Sequence, residues 1–172
     1  MSIRLYAFSR LALLFGLATW LTIAVFNNLT DPHTNRLLLG MMLSMELIKT
    51  EPVLGSGLTW KAWPADWSTA LLYGIATLQS VIAVLLWRAT KSYARAMIHN
   101  TVIALEKARD HATLALTCFL MLWLWFVCGG LWFGYWLKQG AVQSVHMTLI
   151  IISLAALLYV QSGPTKLVDA SS

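Results

Sequence analysis

Four long apolar runs constrain this chain more than any other feature. They cover residues 11–26, 68–87, 112–137 and 141–160. A helix crossing a hydrocarbon core of about 30 Å takes roughly 20 apolar residues. The last three runs meet that length directly. The first meets it when counted over 5–27, with Arg10 expected to snorkel toward its own side of the membrane. Hydrophobic residues make up 59% of the chain and charged ones 11%, against roughly 25% charged in an average soluble domain. A water-soluble globular domain is therefore excluded. Disorder is excluded as well, because it needs low hydrophobicity and high charge. The expected fold is an all-α membrane protein with four transmembrane helices at about 5–27, 68–87, 112–137 and 141–160. It forms one four-helix transmembrane domain over 1–172.

The first run begins after Arg4 and Arg10, as a signal peptide would. No small-x-small cleavage pattern follows it, so an uncleaved span is expected. Lys138, Gln139 and Gly140 alone separate the third run from the fourth, which makes these two antiparallel neighbours. Orientation follows from Lys and Arg. With the N-terminus in the cytoplasm, the inner side collects Arg4, Arg10, Arg88, Lys91, Arg95, Lys107, Arg109 and Lys166. The outer side collects Arg36, Lys49, Lys61 and Lys138. The excess predicts that both termini are cytoplasmic. The net charge of +5 then serves topology and anionic headgroups. The lipid bilayer is the expected partner, and nucleic acid is not.

Two connections have character of their own. Residues 88–111 place Ala94, Met97, Ile98, Val102 and Leu105 at helical spacing, with Lys91, Arg95, His99, Glu106 and Asp110 near the other face. This inner amphipathic connection either lies on the leaflet or extends the second and third spans. Residues 28–66 form the longest stretch outside the spans, and so long a connection is expected to be ordered or functional. Its apolar part, 37–48, is too short to cross and suits a re-entrant or interfacial helix. With Trp60, Trp63 and Trp67 it reads as an ordered cap on the outer face. Nine tryptophans in the chain suit headgroup depth.

Catalytic constellations are absent from the sequence: no P-loop, GxGxxG, HExxH or nucleophile elbow occurs. Cys118 and Cys128 lie about 15 Å apart along one helix, too far for a disulfide. Of the four histidines, only His33 and His146 share the expected outer face, where Glu46 or Glu51 would be the further ligands of any metal. Interfacial hydrogen bonding is their default reading, and no cofactor is expected. Gln79 sits mid-span, where a polar side chain finds a protein partner or lines a path. Gly129, Gly130 and Gly134 in the third span, with Ala70/Gly74 and Ala12/Gly16 in the second and first, let helix backbones approach closely. The densest polar patch is Asn27, Asn28, Asp31 and Asn35, with Glu46 beyond it. These residues cap helices and turns, or bind a partner.

Phe26-Asn27-Asn28-Leu29-Thr30-Asp31, Asn35, Leu43-Ser44-Met45-Glu46 and Pro52 resemble the outer loop of the DUF2165 family of small bacterial integral membrane proteins. Glu106-Lys107-Ala108, Gly129-Gly130-Leu131-Trp132-Phe133 and Tyr135-Trp136 extend the resemblance, which covers residues 5–160. It implies a four-helix protein of the bacterial inner membrane and carries no established activity. Where the family pattern has glutamates, in the second span and after the paired glycines, this chain has Gln79 and Leu131. Glu46 stands where aspartate is more usual. If those acids carry chemistry, this member lacks it. Three functions are thus in play. The first is a non-catalytic accessory or structural subunit binding another integral membrane protein, at Asn27, Asn28, Asp31, Asn35 and Glu46. The second is a small transporter or channel using Gln79. The third, resting only on the scattered histidines, is a redox or metal enzyme.

Overall fold

The computed structural model describes residues 2–162. It is all-helical, and no strand occurs among the described residues. Among the described residues four helices are long and apolar enough to cross a membrane: α1 (Ile3–Thr30), α4 (Trp67–His99), α5 (Val102–Trp132) and α6 (Gly140–Gln161). Between α1 and α4 lie α2 (Pro32–Ser44), α3 (Glu46–Thr50) and a 3-10 turn (Ser56–Lys61). A second 3-10 turn, Tyr135–Leu137, precedes α6. At 1.5 Å rise per residue the four long helices measure about 33 to 50 Å, beyond the hydrocarbon thickness in every case.

Local chemistry sets the breaks. Pro32 has no N–H to give and fits the first helical position, so α1 ends and α2 begins there. Asp31 occupies the N-cap position without a side-chain cap bond. Met45, in the left-handed region at φ 54°, separates α2 from α3. The long amphipathic connection is two helical extensions with one tight reversal. Asn100 takes φ 52°, which asparagine tolerates, and its N–H reaches the Ala96 carbonyl at 2.9 Å. Thr101 Oγ1 then accepts from the Ala104 N–H at 3.3 Å and starts α5. No separate surface helix forms between them. The helix of the third run stops at Trp132, short of the 137 read from hydropathy, because Gly134 turns left-handed at φ 66°.

The described chain divides into two compact units. The first comprises residues up to Thr22, Ser80–Leu120 and those from Ile152 onward. Its core is rich in alanine at three- and four-residue intervals: Ala89 and Ala96 flank Tyr93 on α4, and Ala108, Ala112 and Ala115 line α5. Small side chains let helix backbones come close, which replaces the missing hydrophobic drive in lipid. Leu14, Leu86, Leu116 and Phe119 fill the remainder. The second unit comprises Ile23–Gln79 and Met121–Ile151. Here Leu43, Met45, Ile48 and Phe133 form a buried cluster, joined by Leu58, Leu71 and Leu137. That cluster holds α2, α3 and the first 3-10 turn against the end of α5. In both units the outward positions are apolar: Phe8, Phe15, Ile151 and Leu158 are all more than half exposed. Such a surface in water would be an aggregation site, and in a bilayer it is ordinary lipid contact.

Candidate functional site

The polar residues of the 27–35 segment divide by depth. The last turn of α1 buries Asn28 at 6% exposure, while Asn27, Asp31 and Asn35 keep exposed surface. Asn28 Nδ2 donates to Gln79 Oε1 on α4 at 2.8 Å. Asn35 Nδ2 on α2 donates to Asn28 Oδ1 at 2.5 Å. Three amides thus form a relay from the start of the cap to the middle of α4, where Gln79 is 4% exposed. A single hydrogen bond between helices in lipid contributes about 1 kcal/mol. The relay engages both the donor and the acceptor end of the Asn28 amide inside the chain. Glu46 is exposed at the start of α3.

The glycines of the third span do different things. A Cβ on Gly130 would run into the Tyr135 ring, whereas one on Gly129 would meet nothing within 4 Å. Gly134 supplies the left-handed residue that turns the chain, and its N–H bonds the Leu131 carbonyl at 3.1 Å. The turn lays Tyr135 back over Gly130. Tyr135 then stacks on His146 of α6, with centroids 6.1 Å apart and planes at 24°. Trp123 and Phe126 of α5 flank the same imidazole at 5.9 and 5.1 Å. His146 Nδ1 and the Tyr135 hydroxyl are buried with no partner among the described residues. Burial pushes the Tyr135 phenol up. His146 is therefore enclosed by aromatic rings. His33 is exposed on α2, and no group of three metal-ligating side chains exists among the described residues.

Two features escaped sequence reasoning. Arg10 does not snorkel outward: it is 3% exposed. Its guanidinium donates to the carbonyls of Tyr159 and Ser162 at 2.8 and 2.7 Å, at the C-terminal end of α6. It lies over the Tyr6 ring at 3.3 Å and beside Tyr159 at 4.4 Å. The negative end of the helix dipole and its unpaired carbonyls make this a favourable seat for a cation. Tyr6, four residues before Arg10, was the available signal. The second feature anchors the cap. Lys138 Nζ pairs with the Glu51 carboxylate, and Trp60 and Trp63 meet Trp132 and Phe133 edge-on at 6.1 and 5.6 Å. The hydrogen bond and charge of Lys138 hold the Glu51 carboxyl below its usual range.

No curated protein and no solved structure matches the chain. One family model does, over residues 6–162, and its members are described as predicted small integral membrane proteins. The four apolar helices fit that description, and the chain belongs to the DUF2165 family.

Proposed function

We propose that this protein is a non-catalytic accessory subunit that binds another integral membrane protein, in a bacterial inner membrane with both termini cytoplasmic. One observation carries the reading. Ala12 and Gly16 on α1, and Ala70 and Gly74 on α4, lie exposed, and a Cβ added at Gly16 or Gly74 would meet nothing within 4 Å. Among the described residues these small-x-x-x-small faces are spent on no packing. In lipid such faces support close helix association. On α6, too, only 17% of the most apolar stretch is buried, which leaves a broad face available.

The transporter reading has less support. Gln79, its main residue, is buried and hydrogen-bonded by Asn28. The decisive variants are Gly16→Leu and Gly74→Leu, in chains extracted with mild detergent and run on native gels. The Cβ of neither substitution meets a neighbour within 4 Å, so thermal stability should change little. The assembly should shift to lower mass in at least one of them. A wild-type chain that migrates as a lone monomer, with solute flux in proteoliposomes abolished by Gln79→Leu, would overturn the reading.

A further inference from the structure

A groove of about 460 Å³ opens along α5 and the end of α6 in the first unit, lined by Arg109, Asp110, Thr113, Leu114, Thr117 and Gln161. We propose that it binds the headgroup of a phospholipid carrying both a phosphate and a primary ammonium, of the phosphatidylethanolamine type. The chemistry of the lining selects that class. Arg109 and Asp110 are adjacent at one end, and neither has an ion-pair partner among the described residues. One unpaired cation beside one unpaired anion is complementary to a zwitterion. The guanidinium fork suits phosphate oxygens, and the carboxylate accepts N–H bonds from an ammonium.

The hydroxyls make the second observation. Within apolar helices, threonine normally returns its hydroxyl to the carbonyl four residues back. Thr22, Thr77, Thr90 and Thr148 do so here at 2.7–2.9 Å. Thr113 and Thr117, like Thr19 and Thr69, make no hydrogen bond to any described residue, and the first two line the groove. Positions 109, 113 and 117 follow one face of α5 over about 12 Å. They set a guanidinium, then two hydroxyls, in the order of the phosphate and the ester groups of a glycerolipid. Leu114, 55% exposed, offers the start of an acyl chain an apolar wall. A hydroxyl without water or a protein partner is costly at this depth, and ester oxygens relieve it.

The test is competition among lipids on the full chain. Protein in mild detergent is given equimolar dioleoyl phosphatidylethanolamine, phosphatidylcholine and phosphatidylglycerol, and retained lipid is read by native mass spectrometry. Phosphatidylethanolamine should be retained about tenfold over the other two. Arg109→Gln should abolish retention of all three, and Arg109→Lys should restore part of it. Asp110→Asn should keep binding but erase the preference. Arg95→Gln, an exposed basic residue outside the groove, should change nothing. Equal retention of the three lipids by the wild type overturns the proposal. So does retention unaffected by Arg109→Gln.

Discussion

At the scale of single residues, the contrast between Gly130 and Gly129 is the sharpest consequence of the turn at Gly134. Gly130→Ala drives a methyl group into the Tyr135 ring and should cost about 1–3 kcal/mol, as overpacking does. Gly129→Ala meets open space and should be neutral or slightly stabilising, since alanine favours helix. Thermal denaturation in one detergent compares the two, and equal midpoints would refute the packing. The Asn28–Gln79 bond yields a second expectation. Gln79→Leu strands a buried Asn28 amide and should cost about 1–3 kcal/mol. In a cycle with Asn28→Leu the coupling should be about 1 kcal/mol, and zero coupling would mean the bond contributes nothing. That Gln79 needed a partner was legible in the sequence, because a mid-span amide cannot stand alone. That Asn28 supplies it was not, because hydropathy does not report which residue of another helix shares its depth. Arg10 misled for a related reason. Snorkelling toward water is the default for a long cation near a helix end, and only the tertiary fold brings the α6 carbonyls within its reach.

At the scale of elements, the long apolar runs were plain and their ends were not. Hydropathy carries through Phe133 to Leu137, yet the helix stops before them because a left-handed Gly134 reverses the backbone. Periodicity announced helix across 88–111, and the reversal depends on one asparagine at positive φ and one threonine cap. The cap between α1 and α4 shows the same division. Its apolar 37–48 stretch signalled a short helix, while the αL break at Met45 carried no sequence signal. Lys138 ties Glu51, just after α3, to the turn before α6. Glu51 has its carboxyl pKa depressed by that hydrogen bond and charge. Its contribution is therefore present above the unfolded glutamate value and is lost as pH falls through the lower folded one. The pair is solvent-exposed, so its effect is small and salt weakens it. A carbon-13 titration of Glu51 should show a midpoint below that of ordinary glutamate, and Lys138→Gln should return it to normal. An unshifted midpoint in the wild type would mean the tether is not formed.

At the scale of the whole molecule, orientation in the bilayer links the charge pattern to any partner or lipid. The expectation rests on Lys and Arg alone, since acidic residues weigh little in setting topology. Residues 88–111 hold five of the twelve basic residues, and 28–66 holds three over a longer stretch. The α4–α5 reversal at Asn100 brings the basic residues of both helix ends to one end of a helical hairpin. That hairpin end is expected in the cytoplasm and the cap outside. Ser56 and Glu106 are exposed positions in the cap and on the hairpin. A cysteine at either, in a Cys118→Ala/Cys128→Ala background, reports its side by reaction with an impermeant thiol reagent. In intact cells whose outer barrier admits the reagent, Ser56→Cys should be labelled and Glu106→Cys should not. After the membrane is opened, both should be labelled, which shows that neither thiol is buried. The reverse pattern would invert the molecule and place the Arg109 groove in the opposite leaflet. The groove would keep its chemistry, but lipid exchange would have to be sought from the other side. Labelling of both positions in intact cells would mean that both loops lie on one face, and the four-span topology itself would then fail.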